Sequence, residues 1–153
     1  MQKYFTKFLK YGTLLSTYGL IGSVLLQIFA RFFLTNTPAW TEEASRLFFI
    51  YAMAFAAGLA LKSDEYVALD IFFEKLNPIL QKRLLLVVQG LIVLLFGITA
   101  VYSIKFVQLG MPESSPSMAI SMSVAFFSMF LMSASICYFA CLEIQKIRKK
   151  IDR

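Results

Sequence analysis

The chain has 153 residues, 59% hydrophobic and 16% charged, with a mean hydropathy of +0.71 and a formal net charge of +6. This composition lies far outside the soluble average and identifies an integral membrane protein with no length to spare for a separate soluble core. The basic residues flank apolar runs, which excludes nucleic acid as a partner, and the lack of any histidine removes haem axial ligands, imidazole-based zinc sites and the usual nucleophile and base partnership.

Residues 1–10 form a short basic lead carrying Lys3, Lys7 and Lys10. The apolar run at residues 11–34 exceeds the about 7 to 15 residues of a signal-peptide core, so it predicts a retained first transmembrane helix. Gly12, Ser16, Gly19 and Ser23 recur at four- and three-residue steps, a stripe of small side chains that lets another helix approach closely. Arg31, near the far end, can snorkel to the interface.

Thr35-Asn-Thr-Pro38 breaks the pattern and predicts Thr37 as N-cap, Pro38 as first helical residue and a second span at residues 41–61. Trp40, the single tryptophan, suits an interfacial anchor. Glu42 and Glu43 stand four and three residues before Arg46, so each acid can reach the guanidinium from its N-terminal side while complementing the helix dipole. Ala52, Ala54, Ala56, Ala57, Gly58 and Ala60 make the rest of this helix slim, as burial against other helices requires.

Residues 62–83 are the longest polar stretch. Val67, Leu69, Ile71, Phe72, Leu76, Ile79 and Leu80 alternate with Asp70, Glu74, Lys75, Gln81 and Lys82 at helical spacing, giving an amphipathic segment, interrupted at Asn77-Pro78, that is expected to lie along the membrane surface. A third span follows at residues 84–107, then a turn from Gly110 to Pro116, then a fourth span at residues 118–142. In the last span Ser117, Ser121, Ala125, Ser128 and Ser135 share a face. That stripe is either a packing surface or a polar substrate path, and packing is the simpler reading because such serines satisfy backbone carbonyls or neighbouring helices. Cys137 and Cys141, one turn apart, are ill placed for a disulfide and read as small buried apolar side chains.

The expected fold class is therefore an all-α integral membrane protein, a single membrane domain over residues 1–153 with four transmembrane helices and an interfacial amphipathic helical segment between helices two and three. Twelve of the basic residues then share one side of the membrane and only Arg31, Arg46 and Lys105 occupy the other, so the positive-inside rule places both termini in the cytoplasm. All nine acids fall at span ends or in connections, and without a mid-membrane ionisable residue the spans lack the usual mark of an ion or substrate path. Neither catalytic residues nor a metal or other cofactor is expected. What remains is a helper subunit whose slim helix faces meet a partner, an accessory anchor of a membrane complex, or a small self-assembling carrier or channel.

Trp40-Thr-Glu-Glu43-Ala-Ser-Arg46, the Ala- and Gly-rich helix behind it, the Val-x-x-Asp70 stretch and the Phe-Phe-Glu-Lys-Leu-Asn-Pro78 segment together resemble the small membrane subunit of tripartite ATP-independent periplasmic (TRAP) transporters, the DctQ-like family. Ser115-Pro-Ser-Met-Ala-Ile-Ser121 is similar to the Ser/Thr-Pro-Ala-Leu-x-Ile-Pro region of that family, whereas Tyr66 stands where a histidine is often found. The resemblance implies a bacterial inner-membrane subunit that binds a large TRAP membrane subunit, works with a periplasmic substrate-binding protein, and serves uptake of carboxylate-bearing solutes driven by a sodium gradient. It also makes Trp40, Glu42, Glu43, Arg46 and Asp70 the candidate partner contacts, with membrane lipid around the remaining faces.

Overall fold

A computed structural model of the chain describes residues 2–33, 38–62 and 78–151. Four helices account for nearly all of them: α1 (Gln2–Phe33), α2 (Trp40–Lys62), α3 (Pro78–Leu109) and α4 (Met122–Ile151). Each is long and apolar enough to cross a membrane. Asp70 and the core of the expected surface segment lie outside the described residues. The tail of that segment, residues 78–83, belongs to the first turns of α3, where Pro78 opens the helix. A proline at the first helical position forfeits only an amide that would have had no partner.

The helices form a row. α1 pairs with α2, α2 with α4, and α4 with α3, so α2 and α4 are central and α1 and α3 are the flanks, with α1 also reaching α4 at the end near the N-terminus, where the Phe5 ring lies 4.8 Å from that of Tyr138 and 5.8 Å from that of Phe139. Small residues set the first contact. A β-carbon on Gly12 would come within 2.8 Å of the Phe55 ring, and one on Gly19 within 2.7 Å of Phe48. Gly12 and Gly19 ascend α1 as Phe55 and Phe48 descend α2, so two rings seat in two notches a heptad apart, with Ser16 and Ser23 buried on the same face. The glycine and serine stripe read from the sequence is this interface.

The contact of α2 with α4 repeats the device at Gly58, whose added β-carbon would lie 2.7 Å from the Ser135 side chain. Farther along, the Tyr51 hydroxyl donates to the Val124 carbonyl at 2.7 Å. The buried serines of α4 are satisfied along their own helix: Ser128 donates to the Ala125 carbonyl, Ser133 to Met129 and Ser135 to Met132, at 2.6 to 2.8 Å. Such back-bonding keeps hydroxyls buried at a helix contact without leaving a polar atom unmatched, so here the stripe acts as packing surface. Against α3, the Cys137 thiol approaches the Val93 carbonyl at 3.7 Å, and the Phe106 and Phe126 rings meet with centroids 6.0 Å apart. Cys141 is exposed, which corrects its reading as a buried side chain; one turn beyond Cys137 it has rotated past the seam.

Between α3 and α4, residues 110–121 fold back on themselves. The amide of Ser115 donates to the Ile120 carbonyl at 2.8 Å, that of Ala119 to Ser115 at 3.1 Å, and that of Met122 to Glu113 at 2.9 Å. Gly110 is obligatory at the start of this loop, because a β-carbon there would stand 2.6 Å from the Phe126 ring and 2.8 Å from the Ser123 nitrogen. Helix α4 accordingly begins at Met122, later than the apolar run that opens at residue 118.

Candidate partner-docking site

The N-terminal turn of α2 is held by Thr41, whose amide and hydroxyl both donate to the Pro38 carbonyl, at 3.2 and 2.8 Å. The helix therefore starts at Trp40, with Pro38 just ahead of it as an acceptor and not as its first residue. The turn so fixed aims Glu42 and Glu43 in different directions. Glu42 lies 3.4 Å from Arg46, and both side chains are largely in solvent, at 68% and 73% exposure. Glu43 does not pair with Arg46, contrary to the expectation from spacing. It turns instead towards the loop between α3 and α4.

There the Glu43 carboxylate accepts from the Ser115 hydroxyl, from the Ser117 amide at 3.2 and 3.3 Å and from the Met118 amide at 2.9 Å. An ionised carboxylate has only acceptor sites, so three converging donors match it. Two of those donors are backbone amides of the loop, for which Glu43 supplies the acceptor, just ahead of Ala119, which adopts a left-handed φ of 53°. Glu43 thus does for this loop what an N-cap side chain does for a helix, reaching across from another element. Ser121 completes the fold-back by donating to the Gly110 carbonyl at 2.9 Å.

Beside this clasp is a largely apolar recess of about 260 Å³, walled by Leu47 and Ile50 of α2, by Met118 and Ile120 of the loop and by Val124 of α4, with Arg46 at its margin. Trp40 is 44% exposed at the same end of the molecule. Two of the stretches that carried the family resemblance, residues 40–46 and 115–121, are therefore one structural unit. Of the candidate contacts, Trp40, Glu42 and Arg46 present side chains outward, Glu43 is committed to the loop, and Asp70 is outside the described residues.

Donors of the clasp, and one buried amide elsewhere in the molecule, escaped the sequence reading. Ser115 and the Ser117 amide are donors to a residue seventy-two or more positions away, a distance at which no helical periodicity operates. Gln89, 1% exposed in α3, is an amide in the middle of an apolar run, and that isolated polarity was its visible sign. Among the described residues no three acids or cysteines come close enough to form a metal site.

The sequence profile of the DctQ component of tripartite ATP-independent periplasmic transporters matches residues 20–149. A protein of Haemophilus influenzae that bears the name TRAP transporter small permease protein is 26% identical over 149 residues, covering 97% of this chain and 90% of its relative. The matched region takes in α2, the Glu43 clasp, α3 and nearly all of α4, so the profile covers the same architecture that the geometry defines. The chain belongs to the DctQ family and is the small membrane subunit of a TRAP transporter, a multi-pass component of a tripartite transport system.

Proposed function

We propose that this subunit is the scaffold of its transporter: it braces the large membrane subunit, which holds the substrate and ion sites, and helps to dock the periplasmic substrate-binding protein. The observation that carries this reading is the row of helices. A row offers two broad apolar faces, and its described spans hold no Asp, Glu, Lys or Arg between residues 11 and 30, 47 and 61, 84 and 104, or 122 and 142. An organic anion crossing with cations needs fixed charge or exposed helix ends at mid-membrane, and these spans supply neither. In this reading the unit built from Trp40, Glu42, Arg46 and the Glu43-clasped loop faces the periplasm of a bacterial inner membrane, and both termini are cytoplasmic.

The transported solutes are carboxylate-bearing organic anions and the driving force is a sodium gradient, as the family resemblance implies. Reconstitution tests the assignment. Liposomes holding only this chain should take up no solute under a sodium gradient, whereas adding the large subunit and the binding protein should restore uptake. Saturable uptake by this chain alone would overturn the scaffold reading.

A further inference from the structure

The antiparallel pairing of α3 and α4 brings the start of one beside the end of the other. Cys137 is level with Val93, and about three turns towards the termini the same register sets Arg83 level with Arg148 and Lys149. All three side chains are exposed, and among the described residues none of them takes part in an ion pair. The nearby acid on α4, Glu143, is engaged by Lys146 at 2.6 Å, so among the described residues it does not pair with any of the three. On the membrane side of Arg83 runs an apolar stripe on α3: Leu84, Val87 and Leu91, spaced three and four residues apart and each between 43% and 61% exposed.

We propose that this seam is a binding site for one anionic phospholipid, its headgroup phosphate held by Arg83, Arg148 and Lys149 and an acyl chain lying along the Leu84 to Leu91 stripe. Two arginines present planar forks suited to phosphate oxygens, and the lysine adds a point charge. Charge complementarity names the occupant. A zwitterionic lipid carries its own cation to the headgroup layer and loses most of the attraction, whereas a net negative headgroup keeps it, and the apolar track that starts at the same turn accepts a chain but has no use for a soluble anion. The site lies at the end of the molecule that holds both termini, away from the Glu43 clasp, and its existence does not depend on the scaffold assignment.

The test is native mass spectrometry of the full chain released from nanodiscs made of equal parts phosphatidylglycerol and phosphatidylcholine. Wild-type chain should retain phosphatidylglycerol over phosphatidylcholine by about fivefold or more, the preference expected when even one cation engages an anionic headgroup at the surface. The R83Q/R148Q/K149Q variant should fall to the bilayer ratio, while K3Q/K7Q/K10Q, which removes as much charge from the same end of α1, should keep the preference. Washing the wild-type chain in high salt before release should also reduce the preference, which needs no mutant to fold. A preference that survives R83Q/R148Q/K149Q, that disappears equally in K3Q/K7Q/K10Q, or that ignores salt would overturn the site.

Discussion

Glu43 in the first turn of α2 accepts the Ser115 hydroxyl from a loop seventy-two residues further along the chain, and the amides of Ser117 and Met118 converge on the same carboxylate. One side chain therefore ties α2 to the loop between α3 and α4 and holds that loop's conformation. Replacing it by glutamine keeps the shape but exchanges one acceptor oxygen for an NH2 donor, which opposes the donors it must meet. In E43Q the amides of Ser117 and Met118 should exchange with deuterium faster than in the wild type, while Gly110 and Ser123, held by backbone carbonyls at 2.9 and 3.1 Å, should keep their protection. Uptake by the assembled transporter should fall with the loss of loop order.

Arg46 and Glu42 offer the contrast. Their contact at 3.4 Å is between side chains mostly in water, where an ion pair gains little over two solvated charges. R46Q should leave the thermal unfolding of the isolated subunit unchanged. If Arg46 is a partner contact, as the docking role proposes, the same variant should weaken capture of the binding protein by the assembled complex, and the effect should diminish as salt is raised. Unchanged capture would remove Arg46 from the docking surface.

The glycines separate into two classes that a mutation series can read. Gly58 faces the Ser135 side chain at 2.7 Å and Gly12 the Phe55 ring at 2.8 Å, so G58A and G12A push well-seated neighbours apart and should destabilise the subunit by about 1–3 kcal/mol. Gly22 and Gly90 meet nothing within 4 Å, and alanine there adds only helix propensity, so G22A and G90A should be neutral or stabilising by up to about 1 kcal/mol. Thermal unfolding in one detergent across the four variants checks the ordering.

Tyr51 joins α2 to α4 through the hydroxyl that it donates to Val124 at 2.7 Å. Y51F keeps the ring and removes only that bond, which should cost about 1 kcal/mol. A fall in unfolding temperature larger than that of G58A would mean that the ring position, and not the bond, had changed.

What the sequence revealed and what it concealed divide along the range of the interaction. Gly12, Ser16, Gly19 and Ser23 were legible as a packing face because small residues at helical spacing act through one helix, and the structure seats Phe55 and Phe48 there. Spacing lets both Glu42 and Glu43 reach Arg46 but ranks only neighbours within a turn or so, and for Glu43 three donors from a distant loop outweigh one exposed guanidinium. The start of α4 was hidden for the same reason. Met118 to Ser121 are apolar enough to continue a span, and the residue that turns left-handed is Ala119, where glycine or asparagine would have signalled the break. Tertiary contact with Glu43 decides the conformation there, and local pattern carries no trace of it.

Orientation in the membrane provides the last prediction. The helix row collects Lys3, Lys7, Lys10, Lys62, Arg83, Arg148 and Lys149 at the end where both termini lie, and leaves Arg31, Arg46 and Lys105 at the end that holds the Glu43 clasp. Translocation of positive loops is disfavoured, so the first end should remain in the cytoplasm. A phosphatase reporter inserted after the exposed Glu113 should be active, since it would be exported with the clasped loop, and the same reporter fused behind Arg153 should be inactive. The opposite pattern would put the clasp in the cytoplasm, where no periplasmic protein reaches it, and would remove the docking role of Trp40, Glu42 and Arg46 together with the topology. Active reporters at both positions would break the pairing of α3 with α4, because one helix cannot return the chain to the side from which it left.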